Sequence, residues 1–188
     1  MIVENSPIKG GVIITPSVFE DHRGYFFESF SQRVLDEALG YSPQFVQDNQ
    51  SQSTYGVVRG LHLQTGEHAQ AKFVRALEGR ILDVMVDVRP DSEQFGESFS
   101  IELSAENKKQ LFIPRGFAHG FAVLSEKATI HYKADNYYNK DSELGLAYND
   151  AAMRIDWMLS EADIITSEKD KILPTLEEFK AMKVKFST

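Results

Sequence analysis

Arg59 and His62 fall within Val57-Val58-Arg59-Gly60-Leu61-His62-Leu63-Gln64, and Lys72 falls within the following run, His68-Ala69-Gln70-Ala71-Lys72-Phe73-Val74-Arg75. Cations set among β-formers such as Val57, Leu61 and Leu63 lose hydration on burial unless a carboxylate or an anionic ligand meets them. The pattern therefore favours a polar-lined pocket over a plain core. His62 suits a general base near neutral pH once its tautomer is fixed. Lys72 suits a developing oxyanion, and a phenol such as that of Tyr132, which follows Ile130 at period two and so faces the interior, suits the return of a proton. Arg59 and His62 stand three apart, which sends them to opposite faces of a regular strand. If both line one pocket, Gly60 must host a bulge or kink.

These residues need strands to hold them. The spacing predicts strands over Gly10–Thr15, Tyr25–Phe30, Phe45–Asn49, the two runs above, Arg80–Val88, Phe99–Leu103, Gln110–Ile113, Gly120–Leu124 and Ala128–Tyr132. Gln50–Thr54 reads as a polar loop. The two central runs read as strands joined by a short loop around Gly66. In Arg80–Val88, Leu82, Val84, Val86 and Val88 share one face, with Asp83 and Asp87 on the other. Ser31 caps a short amphipathic helix closed by Gly40, and helix returns weakly at Ser167–Ile172 and more clearly at Thr175–Met182. Close-spaced short strands with turn chemistry between them predict a mainly β fold, an antiparallel jelly-roll β-barrel with short helices, mostly C-terminal. No linker or repeat divides residues 1–188, so one domain is expected.

Composition bounds the partners. A net charge of −8 and the lack of a Lys/Arg cluster argue against nucleic-acid binding, which needs a basic face. The absence of cysteine excludes disulfides and thiolate chemistry and suits a reducing cytosol. Met1–Lys9 lacks a basic stretch leading into an apolar core, and no apolar run reaches membrane-spanning length, so a soluble, cytoplasmic protein without membrane contact is expected. There is no Gly-rich phosphate loop ending in Lys-Ser/Thr, no G-x-G-x-x-G after a strand and no G-x-S-x-G elbow.

Pro114-Arg115-Gly116-Phe117-Ala118-His119-Gly120 resembles the second half of a cupin motif, P-x-G-x-x-H. Where metal-binding cupins offer H-x-H and then a glutamate, this chain has His62-Leu63-Gln64 and no glutamate at the matching position. A three-histidine site of His62, His68 and His119 is the metal alternative, but Lys72 nearby opposes a bound cation, and no metal is expected.

VVRGLHLQ, HAQAKFVR, LSAENKKQLFIPRGFAHGFAVLS and YKADNYYNKDSELGLAYND together closely resemble the dTDP-4-dehydrorhamnose 3,5-epimerase family, from about Gly10 to Asp170. The resemblance implies a cupin-like homodimer that needs no cofactor and acts on a dTDP-sugar. It implies that His62, paired with Asp170, is the base, that Lys72 stabilises an enolate and that Tyr132 is the acid on the opposite sugar face. It further implies that Arg23, Glu28, Gln47, Asp48, Asn49, Arg59, His119, Glu143 and Lys169 hold the nucleotide, diphosphate or sugar. Leu63 replaces the usual Phe, Met158 the usual Pro, and Leu159–Thr166 is off-pattern, which bears most on Asp170. The rivals are a 3-epimerase that inverts one carbon, a non-catalytic sugar-nucleotide binding module and a metal-dependent cupin.

Overall fold

The computed structural model describes residues 1–186, so residues 187 and 188 of the expected domain lie outside the described ones. Its strands are β1 (Ile2–Asn5), β2 (Val12–Thr15), β3 (Phe19–Asp21), β4 (Gly24–Phe26), β5 (Gln47–Thr54), β6 (Val58–Gln64), β7 (Lys72–Glu78), β8 (Arg80–Asp87), β9 (Ser98–Ser104), β10 (Gln110–Ile113), β11 (Phe117–Val123), β12 (Lys127–Ala134) and β13 (Glu143–Gly145). A six-stranded sheet runs β1-β2-β10-β7-β12-β5 and a five-stranded sheet β13-β6-β11-β8-β9, while β3 and β4 form a hairpin of their own. Within the sheets every ladder is antiparallel. The mainly β jelly roll expected from the sequence is the fold observed.

Three apolar layers hold it. Val74, Ile113 and Ile130 of the larger sheet meet Met85, Leu103 and Phe121 of the smaller between the sheets. The far side of the smaller sheet, with Leu82, Val84, Val86 and Ala122, is covered by Leu146, Met153, Trp157 and Phe179 from the C-terminal part of the chain. Burial on both faces explains the apolar Ile81, Leu82, Val84, Met85 and Val86 of β8. The far side of the larger sheet packs Val12, Ile14, Phe73 and Phe112 against Leu35, Phe30 and Phe45. Phe30 lies 5.5 Å from Phe45 and 5.6 Å from Phe73 between ring centroids, and the three rings pin β7 from outside.

The helices follow their sequence signals. Helix α1 (Gln32–Leu39) begins after Ser31, which stands at the cap position without a side-chain capping hydrogen bond, and ends at Gly40, whose φ of 75° only glycine adopts freely and whose N–H donates to the Asp36 carbonyl. Helix α2 (Leu176–Ala181) starts with a capping box between Thr175 and Glu178. The weaker segment is a single 3₁₀ turn, Asp170–Ile172.

Four strand expectations are corrected. The β6 and β7 runs are not a paired hairpin: they lie in different sheets, and residues 65–71 cross between them. Residues 68–71 are not extended ladder: the His68 and Ala69 N–H groups turn back to the Thr65 and Gly66 carbonyls, both at 3.2 Å, and Asp135 accepts from the Ala71 N–H at 2.6 Å. Gln50–Thr54, read as a loop, is the second half of β5, paired with β12 from Gln47 opposite Ala134 to Thr54 opposite Lys127. Of Tyr25–Phe30 only Tyr25 and Phe26 are strand, continuing from Gly24.

Candidate active site

Gly60 does what the spacing required. On the β6/β11 ladder His62 pairs with His119 and Arg59 with Phe121, so three steps on one strand match two on the other. The extra residue is a bulge at Gly60, where φ is 116° and a Cβ would stand 2.7 Å from both the Gly120 Cα and the His119 carbonyl oxygen. Arg59 and His62 consequently reach the same cavity.

That cavity, about 590 Å³, opens between the two sheets. The smaller sheet contributes Arg59, His62 and His119, the larger sheet Asn49, Lys72 and Tyr132, and the 3₁₀ turn with its flank Asp170 and Lys169. The imidazole therefore faces the cavity from one sheet while the ammonium and phenol face it from the other.

Asp170, 3 % exposed, meets the His62 Nε2 at 2.6 Å. A carboxylate accepts, so the proton of the neutral ring sits on Nε2 and Nδ1 keeps the lone pair. Burial pulls the His62 pKa below its ordinary value, Asp170 opposing and Lys72 adding to the fall. The ring is thus a free base at neutral pH. Burial also pushes the Lys72 ammonium down to about 8, with Asp83 and Glu143 resisting. Its Nζ is 3.5 Å from the His62 carbonyl and 6.0 Å from the Tyr132 ring centroid. Burial raises the Tyr132 phenol above its ordinary value, Arg59 opposing, so it keeps its proton.

The remaining expected residues divide. Arg59 donates through Nε to the Ser53 Oγ at 3.0 Å, which fixes its stem at the cavity wall. Glu143 is bound to Lys169 at 2.5 Å and to the Tyr138 hydroxyl at 2.8 Å; burial opposes its ionisation, but these two partners hold its pKa below the usual value. Gln47 donates to Asn49 at 2.9 Å, which orients the latter. Asp48, the alternate residue on β5, turns away and binds Lys133 at 3.0 Å. Arg23 lies on the exposed β3/β4 hairpin, clasped by Asp21, and neither it nor the exposed Glu28 reaches the cavity. His68 is bonded to Asn139 at 3.1 Å outside the cavity, so the three-histidine set is not assembled.

Asp83 was missed by sequence reasoning. It is fully buried and accepts from the His119 Nε2 at 2.7 Å, a second imidazole–carboxylate pair beside the first. The available signal was a carboxylate inside an otherwise apolar strand, which has to have a cationic or donor partner.

A jelly roll whose cavity holds an oriented imidazole, a buried ammonium and a protonated phenol on facing walls has the equipment of a proton-transfer isomerase. The family model for dTDP-4-dehydrorhamnose 3,5-epimerase matches residues 5–178. The Escherichia coli K12 protein of that name is 48% identical over 184 residues, covering 98% of this chain and 99% of its own. The crystal structure of the Elizabethkingia anophelis enzyme of that name superposes with a TM-score of 0.91 at 54% identity, covering 95% of this chain and 97% of its own. A Legionella pneumophila dTDP-6-deoxy-D-glucose-3,5-epimerase, solved with dTDP-4-keto-L-rhamnose, superposes with a TM-score of 0.93 at 42% identity over 100% of this chain and 98% of its own. The chain belongs to the dTDP-4-dehydrorhamnose 3,5-epimerase family.

Proposed function

We propose that the protein inverts C3 and C5 of dTDP-4-dehydro-6-deoxy-D-glucose to give dTDP-4-dehydro-L-rhamnose. The observation that carries this is the placement of the His62 imidazole on one sheet and the Tyr132 phenol and Lys72 ammonium on the other, with the cavity between. Both hydrogens lie beside the C4 ketone, so each is acidic. His62 Nδ1 takes the proton, the C–H electron pair becomes an enolate with its charge on O4, and Lys72 meets that charge in a desolvated site. Tyr132 returns a proton from the other face, which inverts the carbon. Asp170 holds the imidazole and steadies its cationic form. Arg59 and Lys169 at the cavity wall suit the diphosphate, Arg59 through its planar fork. No cofactor enters any of these steps.

Arg23 and Glu28 enter this reading through a second copy. Their segment carries the exposed rings of Phe19, Tyr25 and Phe26, and a homodimer that places it over the partner's cavity would give it a role. A cytoplasmic location accords with a chain in which no helix among the described residues is long and apolar enough to cross a membrane.

The test is incubation with the 4-keto substrate in deuterated water containing a chelator, with the label located by NMR. Deuterium at both C3 and C5, and none with His62→Asn, is the expected result. Label at C3 alone makes the protein a single-centre epimerase, and no label makes it a binding module.

A further inference from the structure

The larger sheet carries a second polar site on the face turned away from the cavity. Along β7 and β12, Lys72, Val74, Ile130 and Tyr132 face inward, so Phe73, Arg75, His131 and Lys133 face outward. On the ladder Gln110 of β10 and His131 of β12 both pair with Arg75 of β7, which brings the three side chains into one row. They line a small pocket of about 270 Å³ with Lys133, between the rings of Phe30 and Phe73.

Two features of this pocket are unexplained by the fold. Gln110 is 1% exposed, and neither its Nε2 nor its Oε1 has a hydrogen-bond partner among the described residues. Arg75 is half-buried beneath the Phe27 ring at 5.9 Å, and among the described residues no carboxylate is paired with it. His131 and Lys133 share one carboxylate, Asp48, at 3.6 and 3.0 Å. The site therefore holds more positive charge than negative, with an unused amide donor at its floor. Buried polar groups and cations of this kind are ordinarily met by a partner.

We propose that this pocket binds a small oxyanion, of the phosphate or sulfate class. The Arg75 guanidinium offers two parallel N–H donors to two anion oxygens, Gln110 Nε2 donates to a third, and Lys133 supplies charge at the rim, where the His131 ring, its pKa lowered by burial, offers an N–H. The site is independent of the reaction read for the cavity.

Sulfate is the probe, because its charge is constant across neutral pH, and saturating dTDP keeps it out of the reaction cavity. Thermal unfolding of the full chain is followed against sulfate, with chloride at matched ionic strength as control. A saturable rise of about 2–5 °C at low millimolar sulfate is expected for the wild type and none for Arg75→Gln. Gln110→Glu supplies the anion from within: it should melt higher than the wild type without sulfate and no longer respond to it. A rise that is linear in sulfate and equal in Arg75→Gln is general salt exclusion and overturns the proposal. A wild type without response overturns it too. If Arg75→Gln then also weakens self-association in sedimentation, the pocket takes a carboxylate of a second copy instead.

Discussion

Replacing Lys72 by methionine separates what the ammonium does for the reaction from what it costs the fold. Burial brings its pKa from an ordinary 10.5 to about 8 even with Asp83 and Glu143 nearby. A displacement of roughly 2.5 units amounts to about 3 kcal/mol by which the folded chain disfavours the charged form at neutral pH. The side chain keeps partial contact with solvent, which lowers the expected gain from Lys72→Met to about 1–3 kcal/mol. The sign follows from proton counting. Between about pH 8 and 10.5 the unfolded wild type binds this proton and the folded one does not, so wild-type stability rises with pH in that window and the advantage of the variant shrinks. Urea unfolding of both proteins near pH 7 and about pH 10 reads the difference, while deuterium exchange from solvent into the substrate should fall by about 10³-fold. A variant less stable than the wild type, or a gain unchanged at the higher pH, refutes the view that a costly charge is kept there for catalysis.

The rate of solvent exchange should be bell-shaped in pH: the acid limb falls below the ordinary imidazole value of 6.5 because burial depresses His62, and the alkaline limb lies near 8 as Lys72 loses its proton. An alkaline limb at the phenol's range instead would assign it to Tyr132. Asp170→Asn should lower kcat by about 10²–10⁴-fold with KM little changed, since the carboxylate orients the base; matching losses in kcat and dTDP affinity would make Asp170 a structural residue. Gly60→Ala meets a positive φ and 2.7 Å contacts with β11, so a loss of about 1–3 kcal/mol or more in thermal or urea unfolding is expected; wild-type stability would remove the bulge from the account.

Much of this was legible residue by residue. Ser31 and Gly40 marked the ends of the helix between them, although only Gly40 makes its capping hydrogen bond, and the three-residue spacing of Arg59 and His62 demanded the bulge found at Gly60. β5 was not legible past Asn49, because Gln-Ser-Gln-Ser-Thr carries no hydrophobic alternation and owes its extension to pairing with β12. The 68–71 segment misled in the opposite sense: its composition suits a strand, but its first two N–H groups close turns on Thr65 and Gly66, and Asp135, distant in sequence, takes the Ala71 N–H. At the site, the cations inside apolar strands stood out, whereas the carboxylate of Asp83, equally out of place in its strand, had no partner to be read with it, because His119 is brought to it only by the β8/β11 register. Asp170 follows an off-pattern segment, and only folding brings it to within 2.6 Å of an imidazole 108 residues away.

Strands β7 and β12 are double-sided panels, each residue committed to one side by its parity. A one-residue slip of β7 would swing Lys72 out to the helix-covered layer and thrust Phe73 among the reacting groups. Phe30 and Phe45, clamped on Phe73, act as an index pin that makes such a slip prohibitive. Aromatic residues outside the reaction cavity thereby hold the ammonium in alignment, and the accuracy of proton transfer is inherited from the oily back of the sheet.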